Sequence, residues 1–168
     1  MDPQDVAKSY DQIAHHWDGD GFSRDNGIAQ HERTISFTDL REPALDIGCG
    51  SSGRVIDLLA EHGFAPEGLD IPTRMLELAR RRHPNVPFHH ADICEWQFPH
   101  TYDFISAWDS IWHVPLPAQE LVLHKILEGL SAGTWSTISI RSCTCTSSVS
   151  GAPPTANEVT LCSPGDQS

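Results

Sequence analysis

The 168-residue sequence has no apolar run approaching the roughly 20 residues that a membrane span needs, and Met1-Asp2-Pro3 does not open like a signal peptide. Positive charge is scarce. Lys and Arg number 11 against 23 Asp and Glu, a formal net charge of −12. That balance argues against a nucleic-acid backbone or an anionic membrane surface as the main partner. The ten histidines are neutral in this count and would offset part of it in mild acid. Cysteine is sparse and unpaired: five is an odd number, no CxxC occurs, and Cys143-Thr144-Cys145 is too tight for a common zinc site. These absences predict a reduced, cytoplasmic protein, and the length predicts one domain.

What is present is organised around Ala44-Leu45-Asp46-Ile47-Gly48-Cys49-Gly50-Ser51-Ser52-Gly53. The apolar start reads as a short buried strand, the glycines as a tight turn, and the residues from about 54 as a helix. Glycine takes positive φ without steric cost, so Gly48 and Gly50 let the chain turn sharply and leave no side chain between backbone and ligand. The helix N-terminus beyond them favours an anionic group. Taken alone, the pattern is equally an ordinary strand–helix turn.

Before it, Val6, Tyr10, Ile13 and Trp17 recur at helical spacing, and Asp18-Gly19-Asp20-Gly21 ends that helix. A second helix is expected over 28–40, with Ile28, Ile35 and Leu40 inward. Residues 1–41 thus form a helical cap that covers a sheet edge; Tyr10 and Trp17 either share that task or close over a ligand. Residues 42–140 alternate strand and helix. Strands are expected at 44–47, 65–69, 86–89, 102–107 and 135–140. The helices between them carry Val55, Leu58 and Leu59; Met75, Leu76 and Ala79; and Leu121, Leu123, Ile126 and Leu130. Gly63 stops the first of these helices, Pro72 opens the second, and Arg80-Arg81-Arg82 offsets its dipole. Ser131-Ala132-Gly133 reads as a turn. The alternation predicts an α/β fold, a mostly parallel sheet with helices on both faces.

Such sheets bind ligands beyond the carboxyl ends of their strands. The glycine turn, Asp70, Asp92 and Trp108-Asp109 all fall at such ends. Asp70 stands 17 residues after Gly53, where a carboxylate either accepts bonds from ribose hydroxyls or caps the helix at Pro72. Asp92 either caps a turn or accepts from an exocyclic amine.

These segments together resemble the class I S-adenosylmethionine-dependent methyltransferases, small-molecule type with an N-terminal helical cap. Asp46-Ile-Gly-Cys-Gly-Ser-Ser-Gly53 looks like the first motif of that family, Gly68-Leu-Asp70-Ile-Pro-Thr-Arg-Met75 the second, and His90-Ala-Asp92-Ile93 the third. The stretch from Tyr102 through Trp108 to His113 resembles the fourth-strand motif. The resemblance implies a Rossmann-like sheet of order 3-2-1-4-5 and methyl transfer to a small molecule, with S-adenosylhomocysteine as product. It also implies that Gly48, Cys49 and Gly50 pass the methionyl part of the donor, with Asp46 near its amino group. Asp70 would hold the ribose, Ile71 and Met75 flank the adenine, Asp92 and Ile93 take its polar edge, and Trp108 face the substrate. Tyr10 and Trp17 would close over the cofactor. Ser52 stands where many members carry a third glycine.

Attack on a sulfonium methyl needs mainly alignment, worth roughly 7–11 kcal/mol in well-oriented cases. A base is needed only if the nucleophile must lose a proton. His113 is the candidate, equally readable as a capping or surface histidine. His15, His16 and His31 are weaker candidates, and His89-His90 lacks a third ligand, so no metal is assigned. Two other readings stand beside the transferase: a cofactor-binding but inactive domain, and a nicotinamide-dependent oxidoreductase with a similar glycine motif. Residues 141–168, rich in Ser, Thr, Cys and Pro without period, are expected to be an irregular tail. It reads as an out-of-frame stretch from near Gly133 or as a diverged short end. The C-terminal strands of the family are then missing, which leaves a sheet edge free to drive homodimerisation.

Overall fold

The computed structural model describes residues 2–17, 25–139 and 158–162. The helix stop expected at 18–21 and most of the tail lie outside them. Helix α1 spans Pro3–Ile13: Asp2 accepts the Gln4 N–H at 2.8 Å and Pro3 opens the first turn, so both helix-start devices operate. A 3-10 turn, Ala14–Trp17, continues it. The expected stripe is only half used, because Val6 is buried while Ile13 is 41% exposed; Ala7 and Ala14 take inward positions instead. Helix α2 is shorter than expected, Ile28–Ile35, so Leu40 falls outside it and is 46% exposed.

The sheet has order β3-β2-β1-β4-β5-β6. Its strands are β1 Pro43–Ile47, β2 Ala65–Asp70, β3 Phe88–His90, β4 Tyr102–Ala107, β5 Leu130–Ser139 and β6 Glu158–Cys162. The first five are parallel. Helices α3 Arg54–Glu61, α4 Thr73–Arg82 and α5 Leu116–Glu128 lie between them in the chain. Alternate side chains of a strand face opposite ways, which splits the core in two. Ala44 and Phe104 join Val55, Leu59 and Ile35 on one side. Leu45 and Ile105 join Val122 and Ile126 on the other. On α5 the buried residues are Val122 and Ile126, whereas Leu121 is 66% exposed. Among the described residues no helix is long and apolar enough to cross a membrane.

Two expectations about the C-terminal part are corrected. Residues 131–133 are not a turn before the fifth strand but an irregularity inside β5. Tyr102 pairs with Leu130 and Phe104 already with Trp135, and the surplus is accommodated at Gly133, φ 75°. The tail is not irregular throughout. Residues Glu158–Cys162 form β6, antiparallel to β5 from Trp135↔Cys162 to Ser139↔Glu158. Val159 and Leu161 alternate with polar neighbours at the strand period, a pattern too short to stand out in a Ser- and Thr-rich tail. The β5 edge is therefore paired, which removes the reason given for dimerisation through it.

Candidate functional site

The carboxyl ends of β1, β2 and β4 and the turn after β3 open on one cavity of about 440 Å³, closed on another side by α1 through Val6, Ala7 and Tyr10. Gly48 and Gly50 both have positive φ, 74° and 58°, but they serve different purposes. A Cβ on Gly48 would lie 2.3 Å from Ser110 Cβ, so this position lets the segment after β4 close against the turn. A Cβ on Gly50 would meet nothing within 4 Å, and Gly50 borders the cavity. There the backbone is bare toward a ligand. Several bonds hold the turn, among them Gly48 and Cys49 N–H donating to Leu69 O at 2.7 and 3.2 Å, and Arg82 Nη1 donating to Ser51 O. One member of the arginine run thus pins the loop as well as standing at a helix C-terminus. Gly53 makes room for His83, whose Cε1 would lie 2.1 Å from its Cβ.

Asp70, half-buried at the end of β2, accepts the Gly50 N–H at 2.7 Å and its own neighbour Ile71 N–H at 2.8 Å. It does not cap α4; that task falls to Asp11 of α1, which accepts the Arg74 N–H at 2.9 Å. Burial raises the Asp70 carboxyl to about 6, with Asp11 adding to the rise while the Gly50 and Ile71 amides and His90 oppose it. Asp92 spends one oxygen on the Cys94 N–H, 2.9 Å, which caps the turn, and still borders the cavity. Ile71, Met75, Ile93 and Cys49 border it too, and burial raises the Cys49 thiol. Asp46 is set behind the cavity wall, 4% exposed, its carboxyl raised by burial to about 7.

His113 sits at the cavity wall in the 3-10 turn Ile111–His113. The Trp112 indole N–H donates to its Nε2 at 2.8 Å, and an indole nitrogen can only donate, so Nε2 carries the lone pair. The Tyr10 hydroxyl, 3.1 Å from the same Nε2, donates as well. The basic nitrogen of the candidate base is therefore already engaged, and burial lowers the ring's affinity for a proton despite Asp109. Burial, then Asp70 and Asp109, raise the Tyr10 phenol. The Tyr10–His113 contact ties α1 to the segment after β4. The Trp17 side chain lies outside the described part.

Trp108 is largely buried and borders the cavity. Its ring lies 5.4 Å from that of His31, its Nε1 donates to Asn26 Oδ1 at 3.3 Å, and a Cβ on Gly27 would strike it at 2.6 Å. Asp109, the one non-glycine residue of positive φ among the described residues (56°), accepts from Asn26 Nδ2 at 2.7 Å. Arg54 Nε donates to Asn26 O at 3.0 Å. Asn26, Arg54 and Asp11 were not singled out in the sequence, where nothing but their fold marks them. Two buried hydroxyls bordering the cavity, Ser51 Oγ and Ser110 Oγ, have no hydrogen-bond partner among the described residues.

Comparison with known proteins agrees with this architecture. Residues 44–133 match the family model described as a methyltransferase domain. A trans-aconitate 2-methyltransferase of Rhizobium etli is 35% identical over 92 residues, 54% of this chain and 35% of that protein. A dTDP-3-amino-3,6-dideoxy-alpha-D-glucopyranose N,N-dimethyltransferase of Streptomyces fradiae is 32% identical over 89 residues, 52% of this chain and 33% of that protein. The match spans about a third of these curated relatives' length. Among solved structures, S-adenosylmethionine-bound CalS10, an amino pentose methyltransferase from Micromonospora echinaspora, aligns with a TM-score of 0.66. It is 22% identical, over 77% of this chain and 56% of that one, and supports the fold. With the family model covering more than half of the sequence, and the five parallel strands in order 3-2-1-4-5, the chain belongs to the methyltransferase-domain family.

Proposed function

We propose that this chain binds S-adenosylmethionine across the ends of β1, β2 and β4 and directs its methyl group to a small acceptor that bears an amine. The observation that carries the reading is Asp70: a carboxylate fixed by two backbone amides at the end of β2, facing a cavity of about 440 Å³. A carboxylate has about four acceptor sites, so two remain for vicinal ribose hydroxyls. The residues fit the group in other respects. Gly50 leaves open space beside the loop, and the Ser51 and Ser110 hydroxyls offer unclaimed donors. Ile71, Met75 and Ile93 give an apolar slot for the adenine, and Asp92 supplies an acceptor. Bound donor supplies a methyl on a sulfonium, an electrophile with a built-in leaving group.

The acceptor end separates the two chemistries named for the curated relatives, a polycarboxylic acid and an amino sugar. Asp70, Asp92 and Asp109 line the cavity against one arginine, Arg54. Asp70 and Asp92 face the donor, so at the acceptor end Asp109 is the carboxylate left to attract a protonated amine, while the other two add to a field that repels a polyanion. His113 would take a proton from that amine only after Nε2 is released by Tyr10 and Trp112, so in this reading it positions the acceptor first.

Calorimetric titration with S-adenosylhomocysteine and with NAD tests the cofactor. Binding of the former alone is expected; binding of NAD alone would overturn the reading. Transfer of labelled methyl from S-adenosylmethionine should then favour amino sugars over tricarboxylates, and the opposite preference would remove the amine assignment.

A further inference from the structure

Behind the cavity wall, three polar side chains from three elements share the core. His31 of α2 and Ser106 of β4 are fully buried, and Asp46 of β1 nearly so. Asp46 and Ser106 are register partners across β1 and β4, which sets their side chains next to each other on one face of the sheet, and the Ser106 hydroxyl favours the Asp46 carboxylate. His31 Nε2 lies 2.8 Å from Ser106 Oγ, and its Nδ1 lies 2.6 Å from the Gly27 carbonyl oxygen.

The protons in this chain can be counted. A carbonyl only accepts, so His31 Nδ1 carries a hydrogen. With a neutral imidazole, Nε2 takes the Ser106 hydroxyl hydrogen, and Ser106 Oγ then accepts from Asp46 as a carboxylic acid. With Asp46 as a carboxylate, the Ser106 hydroxyl turns to it, and Nε2 must bring a hydrogen to Ser106. Both arrangements satisfy every bond, and both contain the same single titratable proton. Burial favours the first: it lifts the Asp46 carboxyl to about 7 and drops the His31 imidazole to about 4. Arg54 faces both groups, Asp70 faces Asp46 and disfavours its charge, and the Gly27 carbonyl favours the imidazolium.

We propose that Asp46, Ser106 and His31 form a proton-holding relay, in which a cation entering the cavity turns Asp46 into a carboxylate while the displaced proton stays inside the protein on His31. Asp46 reaches the cavity through a hollow of about 20 Å³ that it shares with Ser52, Arg54 and Trp108, all three of which line the cavity. The step moves two hydrogens by one bond each. The Asp46 proton passes to Ser106 Oγ as the Ser106 hydroxyl hydrogen passes to His31 Nε2, and net charge is unchanged. Ser106 and His31 are positioning residues that act through Asp46. The relay also joins α2 to the strand that feeds the glycine turn. Its ligand-driven half rests on the reading of the cavity as a site for a cationic methyl donor.

The free protein tests the relay itself. With ¹⁵N-labelled histidine, the His31 Nε2 resonance should shift near pH 7, where Asp46 ionises and draws the Ser106 hydroxyl away. Asp46→Asn and Ser106→Ala should each abolish that step. A His31 resonance with no step there, or with the same step in Asp46→Asn, overturns the relay. Binding tests the second half. S-Adenosylhomocysteine, which carries an ammonium group, is titrated at pH 6 in buffers of different ionisation enthalpy. The unsubstituted protein should release only the fraction of a proton that Asp70 gives up at this pH, and Ser106→Ala about 0.9 per site more, because its Asp46 proton has nowhere to go. Equal release by the two proteins overturns the proposal. If S-adenosylhomocysteine does not bind at all, the methyl-donor reading and the ligand-driven step fall together, while the free-protein resonance still decides whether the relay exists.

Discussion

Replacing Asp46 or His31 singly should tilt the protein's pH–stability profile in opposite directions. In the folded chain below pH 7, Asp46 is an acid and His31 is neutral, one proton between them. In the unfolded chain between pH 4 and 6.5, the aspartate is ionised and the histidine charged, again one proton. The pair therefore contributes no slope across that window. Asp46→Asn leaves His31 alone, whose folded value is lowered from 6.5 to about 4. The unfolded state then binds the extra proton first, so stability is full above pH 6.5 and lost as pH falls. At 1.36 kcal/mol per pH unit the loss by pH 4 is about 3 kcal/mol. His31→Phe leaves Asp46 alone, raised from 3.8 to about 7. The folded state now holds the proton longer, so stability is full below pH 3.8 and declines by about 4 kcal/mol toward pH 7. Urea unfolding at half-unit steps from pH 4.5 to 7.5 reads these slopes directly. Lost packing and hydrogen bonds displace each curve vertically without tilting it, so a damaged core cannot imitate the result. Profiles parallel to that of the unsubstituted protein would refute the single-proton account.

Asp70→Ala should weaken S-adenosylhomocysteine binding by about 1.5–3 kcal/mol, the range for hydrogen bonds to a charged group; calorimetry with unchanged circular dichroism checks it, and unaltered affinity would remove Asp70 from the site. Gly48→Val sets a Cβ 2.3 Å from Ser110 Cβ at a backbone φ of 74°, so the variant should keep its helices and lose ligand binding; retained binding would mean that the turn tolerates displacement of the segment after β4. Tyr10→Phe removes one of two donors to His113 Nε2 and should cost about 0.5–1.5 kcal/mol of ligand affinity by loosening α1, whereas an unchanged titration would dismiss it as a latch. A chain ending at Ile140 loses β6 and bares the edge of β5; light scattering should show faster aggregation while S-adenosylhomocysteine still binds, since the cavity is lined by residues from Pro3 to Val114, and loss of binding would make β6 a support of the site.

The parallel sheet was legible because its signals are local and strong. Ala44-Leu-Asp-Ile followed by glycines, and Gly68-Leu-Asp70 followed by proline, each announce a strand that ends in a turn, and the helices between carry apolar residues at helical spacing. Boundaries fared worse where competing contacts decide them. Ile13 ends α1 and is exposed, while Ala14, the first residue of the 3-10 turn, is the one that is buried. Leu121 and Val122 exchange roles because α5 is apolar on more than one side, so the inward face depends on the sheet and not on the helix's own pattern. The antiparallel β6 was missed because five residues of alternation carry little weight against a Ser- and Thr-rich background, whereas an unpaired β5 edge supplies backbone partners irrespective of composition.

The candidate site divides along the same physical line. Residues that border the cavity from their own strand end, Asp70, Asp92 and Ile93, follow from position alone once the strands are placed. Residues that act through a distant partner do not. His113 looks like a base in the sequence because its chemistry is visible there, while the two donors that occupy Nε2 come from the preceding residue, Trp112, and from α1, 103 positions away. His31 stands among several cap histidines until the β1–β4 register brings Ser106 beside Asp46 and α2 lowers an imidazole onto the same hydroxyl. Pairing of β1 with β4 is a property of the whole sheet, so no local pattern at 31, 46 or 106 could express it. The parallel register makes the arrangement checkable. A substitution at Ser106 should change the titration of both Asp46 and His31, although Ser106 itself has no charge to lose.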